Sequence, residues 1–127
     1  MGDSSSRKKI LIVDDEPDIT TILKMGLEQA GYSVTTFNDP ERALMYFEPK
    51  KYDLLLIDIR MPKMNGFELY RAIIKKDANV KVCFITAFEI YDYEFKRVFP
   101  SYMIHCFIKK PITIKDLVSI VREQIGA

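Results

Sequence analysis

The sequence has almost no surplus of charge of either sign: 19 Lys+Arg stand against 18 Asp+Glu, a formal net charge of +1 over 127 residues. That excludes the large positive excess that drives non-specific binding to phosphate backbones, so direct contact with nucleic acid is not expected. Long apolar runs are also missing. None approaches the ~18 residues of a membrane span, and the N-terminal MGDSSSRKK lacks the apolar segment of a signal peptide. The expectation is a cytoplasmic protein with no membrane partner. Histidine and cysteine are scarce. His105 is the one histidine, and the two cysteines form no Cys-x-x-Cys pair, so the roughly four ligands of a structural zinc site are not there. Cys83 and Cys106 lie in apolar runs and are expected as free, buried thiols, because disulfides are uncommon in a reducing compartment.

What is present suffices for one full core. Hydrophobic residues make up 48% of the chain and aromatic ones 12%, and a domain of this size buries roughly 65–70% of the surface its unfolded chain exposes. Residues 1–7 read as a disordered polar tail and 8–125 as a single folded domain, with no room for a second.

Short apolar runs alternate with stretches of helical period, the pattern of strand-helix units around a parallel sheet. The predicted strands are Lys9–Val13, Tyr32–Phe37, Leu54–Ile57, Lys81–Ile85 and Met103–Ile108. The first, third and fourth are nearly continuous apolar runs and should be covered on both faces. Five helices are predicted. In the first, Ile19, Ile22, Leu23, Gly26 and Ala30 recur at helical spacing and stop at Gly31. The second opens with Asp39 and Pro40 and the third near Asn65–Gly66, carrying Phe67, Tyr70, Ile73 and Ile74. The fourth covers about 88–99. The fifth opens with Thr113 and Asp116, spaced as a capping box, and carries Ile114, Leu117, Val118, Val121 and Ile125. Right-handed crossovers then give a doubly wound, flavodoxin-like α/β sheet of order 2-1-3-4-5, whose ligands bind beyond the carboxyl ends of the strands where the winding reverses.

That edge collects the chemistry. Strand one ends in Asp14–Asp15–Glu16 and strand three in Asp58. Crowded carboxylates repel one another, so either one takes up a proton or a cation sits among them. Mg²⁺, which keeps several waters and takes one or two carboxylates, suits such a shallow cluster better than Ca²⁺. In the bland reading the first acids merely favour a helix N-terminus, and Asp58 is a turn residue. The loop Arg60–Met61–Pro62–Lys63–Met64–Asn65–Gly66 follows, with Pro fixing one turn and Gly freeing another. Strand four ends in Thr86–Ala87 and strand five in Lys109–Lys110–Pro111, where a cis peptide before the proline could turn the ammonium over the pocket.

Taken together, Asp14–Asp15, Asp58 in LLLIDIRMPKMNG, Thr86–Ala87 in FITA and Lys110–Pro111 in FIKKP resemble the receiver domain of two-component response regulators. The likeness to single-domain chemotaxis regulators extends over residues 8–125. It implies that Asp58 accepts a phosphoryl group from a sensor histidine kinase or phosphotransfer protein in a Mg²⁺-dependent reaction. It further implies a metal held by Asp14, Asp15, Asp58 and the backbone carbonyl of Arg60. Thr86 would hydrogen-bond the phosphoryl group and Lys110 would pair with its charge, while Phe107 would be the aromatic that turns inward as Thr86 moves. Arg60 and Phe88, two positions after Asp58 and Thr86, would crowd the approach of hydrolytic water. The protein would then be a switch rather than a turnover enzyme. Its signal would go to a downstream protein or a second copy through helix four, strand five and helix five, where Ile90 and Tyr93 lie with Arg97 on the outer side. Glu16 is expected to face the helix N-terminus instead of the cluster.

Three other readings compete. A flavodoxin-type electron carrier would need hydroxyls and amides, not acids, after strand one. A haloacid-dehalogenase-type phosphatase would carry a second acid where Arg60 stands. A pseudo-receiver, an interaction module that is never phosphorylated, would keep only the fold.

Overall fold

In the computed structural model, residues 7–87 and 106–127 are described. The elements run β1 (Lys9–Val13), α1 (Pro17–Gln29), β2 (Ser33–Phe37), α2 (Pro40–Tyr46), β3 (Leu54–Asp58), α3 (Gly66–Ile74), β4 (Lys81–Thr86), β5 (Phe107–Lys109) and α4 (Ile114–Ile125). The strands form one five-stranded sheet in the order β2-β1-β3-β4-β5, parallel throughout. The predicted topology is therefore the observed one. Four helices lie among the described residues; the helix expected over 88–99 falls outside them, as do His105 and the first three residues of the strand expected from Met103. No helix among the described residues is long and apolar enough to cross a membrane.

Burial explains which runs became central strands. Every residue of β3 is buried, and in β1 and β4 only the leading lysine is not, as expected where helices cover both faces of a parallel sheet. Side chains alternate between two cores. Leu11, Val13, Leu55, Ile57, Val82 and Phe84 face α2 and α3, while Ile10, Ile12, Leu54, Leu56, Cys83, Ile85 and Ile108 face α1 and α4. The edge strands differ. β5 is three residues long with only Ile108 buried.

Helix α1 departs from its predicted stripe at one position. Ile22 is 55% exposed, and the buried positions are Thr20, Leu23, Gly26 and Leu27. Ile22 lies at the margin of the stripe, whereas Ile19, Leu23 and Ala30 pack into the core shared with α4. A Cβ on Gly26 would collide with the Ile114 side chain, so the glycine is the space that lets the two helices approach. Gly31 adopts φ +103° just past the helix end, as a C-terminal glycine should.

The two cysteines correct another expectation. They are bonded to each other as a disulfide across 23 positions of sequence, with Cα atoms 4.5 Å apart. They sit one residue before the paired Phe84 and Phe107 on adjacent parallel strands, a neighbourhood that only strand order creates.

Candidate functional site

Three loops converge at the carboxyl edge of the sheet, between β1 and β3, where the winding reverses. Asp14 directly follows β1 and is 1% exposed; Asp58 closes β3 at 5%. One carboxylate oxygen from each of Asp14, Asp15, Glu16 and Asp58 lies within 4.8 Å of the others. Glu16 is thus part of the cluster, contrary to the expectation that it faces the helix. It stands at the N-cap of α1 but its side chain makes no capping bond, and its Oε1 is 3.6 Å from Lys110 Nζ.

The acidic turn is held from behind. The Glu16 N–H donates to Asp14 Oδ1 (3.0 Å), and Asn38 Nδ2 donates to the Asp14 carbonyl (2.8 Å) and to Thr20 Oγ1 (3.0 Å). Thr20 Oγ1 in turn donates to the Pro17 carbonyl. Asn38 and Thr20 were not singled out from the sequence. An asparagine after an edge strand and a threonine in a first helical turn carry no signal until the fold brings them together.

Lys110 brings positive charge in from the far side. Its Nζ is 2.7 Å from Asp14 Oδ2 and 3.5 Å from Asp58 Oδ2, and its backbone N–H donates to the Thr86 carbonyl at 2.8 Å. The Lys110–Pro111 peptide is cis, the geometry entertained from the sequence. Thr86 ends β4 at 5% exposure, while Phe107 opens β5 with its ring 44% exposed and 6.0 Å from that of Phe84.

The loop after β3 differs in detail from expectation. Its positive φ falls on Lys63, at 72°, and not on a glycine. Gly66 matters for close approach: a Cβ there would strike the Asp58 carbonyl, and its N–H donates to the Ile59 carbonyl at 2.8 Å. Asn65 and Glu68 form a reciprocal capping box that opens α3. Arg60 is exposed, and its N–H donates to Asp58 Oδ1 at 3.4 Å. Phe88, Ile90, Tyr93 and Arg97 lie outside the described residues.

The electrostatics follow from this crowding. Burial first, and then the charge of Asp14, push the Asp58 carboxyl from 3.8 up to about 6, against the opposing pull of Lys110 and the Arg60 N–H. For Lys110, burial alone would lower the ammonium, but its hydrogen bond to Asp14 and the charges of Asp14, Asp58 and Glu16 outweigh that and raise it. One ammonium facing four carboxyls leaves local negative charge unbalanced, and the donors are hard oxygens. Such a set fits Mg²⁺, whose preference is for carboxylates and water.

Residues 10–122 match the family model of the response regulator receiver domain. The chain is 33% identical over 126 residues to the alkaline phosphatase synthesis transcriptional regulatory protein PhoP of Bacillus subtilis (strain 168), covering 94% of this chain and 51% of PhoP. It is 41% identical over 81 residues to the response regulator receiver protein CpdR of Brucella abortus (strain 2308), covering 64% of this chain and 68% of CpdR. It thus spans about half the length of PhoP, and the match to the probable transcriptional regulator ycf27 of Guillardia theta covers 33% of that protein. Among solved structures, a CheY-like receiver domain protein from Methanospirillum hungatei JF-1 superposes with a TM-score of 0.84 at 30% identity, covering 94% of each chain. TrrA from Thermotoga maritima, crystallised in complex with Mg²⁺ and BeF, gives a TM-score of 0.78 at 33% identity, covering 92% of this chain and 98% of TrrA.

Proposed function

This chain belongs to the response regulator receiver domain family, and we propose that it is a working phosphoacceptor switch whose accepting group is Asp58. The observation that carries this reading is the buried Asp58 carboxylate at the end of β3, within reach of both a hard-oxygen donor cluster and the Lys110 ammonium. A pseudo-receiver would have no need to keep that constellation intact.

In the proposed reaction an Asp58 carboxylate oxygen forms a bond to phosphorus as the bond from phosphorus to an imidazole nitrogen of the donor histidine breaks. The imidazole leaves with the bonding electron pair. Phosphoryl transfer asks the protein mainly for positioning and for neutralisation of the equatorial oxygens. Lys110 supplies one fixed positive charge and the Thr86 hydroxyl a hydrogen-bond donor. Asp14, Asp15, Asp58 and the carbonyl of Arg60 would hold Mg²⁺, which when bound would add positive charge to offset that of the phosphoryl oxygens. A carboxylate is a competent nucleophile under those conditions. Phe107, half-exposed next to this edge, is the side chain we assign to reading out the change. An inward turn of its ring would alter the face of β5 and α4 offered to a downstream protein or to a second copy. Arg60 and Phe88 are assigned to controlling access of water to the phosphorylated site. The donor would be a sensor histidine kinase or a phosphotransfer protein, acting in the cytoplasm.

The test is intact-mass spectrometry after incubation with acetyl phosphate and Mg²⁺. Wild type should gain one phosphoryl group and Asp58→Asn none. Stoichiometric labelling of the variant, or no labelling of a folded wild type, would refute the assignment, the second result favouring the pseudo-receiver.

A further inference from the structure

The disulfide lies outside the phosphoryl-transfer chemistry, yet it joins the two strands that carry half of the proposed site. Among the described residues β5 is a three-residue edge strand paired with β4 alone, through Phe84–Phe107, Ile85–Ile108 and Thr86–Lys109. Lys110 follows it immediately and sends its ammonium to Asp14 and Asp58. Thr86 stands three residues beyond Cys83 on β4. A short edge strand has few backbone bonds with which to hold a side chain in place. Here those next to the pairing are Phe84 N–H to the Cys106 carbonyl (3.0 Å) and Lys110 N–H to the Thr86 carbonyl (2.8 Å). The covalent link is at the start of β5, and the ammonium leaves from its end.

We propose that Cys83 and Cys106 form a reversible thiol-disulfide modification site, oxidised by low-molecular-weight disulfides and reduced by dithiols, whose oxidised state holds β5 against β4 and so presents Lys110 to the phosphoryl group on Asp58. This rests on the reading of Asp58 as phosphoacceptor. Exchange begins at Cys106, which keeps 7% of its surface exposed while Cys83 keeps none. The Cys106 thiolate attacks one sulfur of a small disulfide, forming a mixed disulfide and releasing one small thiolate. The Cys83 thiolate then attacks the Cys106 sulfur and expels the second. The two protons shed by the cysteines end on the two small thiols, and the protein has lost two electrons to the oxidant.

Because coupling between two equilibria is reciprocal, it is measurable at either site. Wild-type protein is equilibrated across glutathione redox buffers with and without Mg²⁺ plus beryllofluoride. The dithiol fraction is counted by alkylation and mass spectrometry. Beryllofluoride affinity is measured separately on fully oxidised and fully reduced protein by tyrosine fluorescence. The oxidised form should bind about fivefold more tightly, which requires the midpoint to move about 20 mV to more reducing potential when the ligand is present. Cys83→Ala with Cys106→Ala should match the reduced protein whatever the buffer. Equal affinities and an unmoved midpoint would refute the coupling while leaving the phosphoacceptor reading intact. Cysteines that stay reduced in every buffer would refute the modification site. Failure of both redox forms to bind beryllofluoride would overturn this inference together with the reading it rests on.

Discussion

The buried Asp58 makes a quantitative prediction about stability. Its carboxyl titrates near 6 in the folded protein against 3.8 ordinarily, so the folded state binds the proton more tightly than the unfolded one. Well below pH 3.8 the carboxyl is protonated in both states and its tighter-held proton gives the fold its full advantage. As pH rises through 6 that advantage is lost, and above it the folded protein carries an ionised carboxylate in an unfavourable place. A displacement of about two pH units corresponds to about 3 kcal/mol. Glu16 on the open side is exposed and Asp15 half-buried, so water screens part of this, and we expect about 2 kcal/mol. Asp58→Asn keeps the shape and removes the charge, while Lys110 retains its shorter contact to Asp14 at 2.7 Å. In metal-free buffer at pH 7.5 the variant should therefore be more stable, with its thermal midpoint raised by about 5–10 °C for a domain of this size. The difference should shrink on acidification and vanish near pH 4. Mg²⁺ should raise the midpoint of wild type and move the variant much less, because binding to the native state alone is what stabilises. Thermal melts by circular dichroism across pH 4–8, with chelator or Mg²⁺, test all three points. A variant no more stable than wild type at neutral pH, or a gap that does not change with pH, would show that Asp58 is not held in its charged form at a cost.

Other outcomes follow from the same geometry. Asp15→Ala should weaken Mg²⁺ binding by at least tenfold, and Glu16→Ala should weaken it by less than Asp15→Ala while still measurably, since its carboxylate belongs to the cluster; calorimetric titration separates them, and equal losses would reassign the ligands. Reducing the Cys83–Cys106 bond should lower stability by about 3 kcal/mol in the chain-entropy model for a loop of this length, read as a shift in urea midpoint with dithiothreitol. Asn65→Ala should cost about 1 kcal/mol, because it removes the acceptor at 2.8 Å from the Glu68 N–H and half of the capping box, again by urea unfolding. Arg60→Asn with Phe88→Glu should lose a bound phosphoryl group several-fold faster than wild type by time-resolved intact mass; unchanged rates would remove both side chains from control of the water.

The order of the elements was legible because each element announces its own period. The short, continuous apolar runs of β1, β3 and β4 read as strands covered on both faces, and Gly31, Asp39 and Thr113 mark helix ends through local backbone chemistry. Strand order and handedness then carry Asp14, Asp58, Thr86 and Lys110 to one edge, which is why the site could be named from the sequence. Contacts between elements were not legible. Ile22 fits a helical stripe, yet it lies at that stripe's margin and is left in solvent while Leu23 and Gly26 are buried. Glu16 looks like a helix cap, and its place in the cluster shows only once β3 brings Asp58 beside it. Asn38 supports Asp14 through a hydrogen bond across 24 positions and is itself held by one to Thr20 across 18. Cys83 and Cys106 read as two ordinary buried residues until β4 and β5 are laid side by side in register. A sequence determines periodicity, caps and residue types because these act over a few neighbours. Which side chains meet is decided by the packing of distant segments, since pairwise distance is a property of the folded chain as a whole.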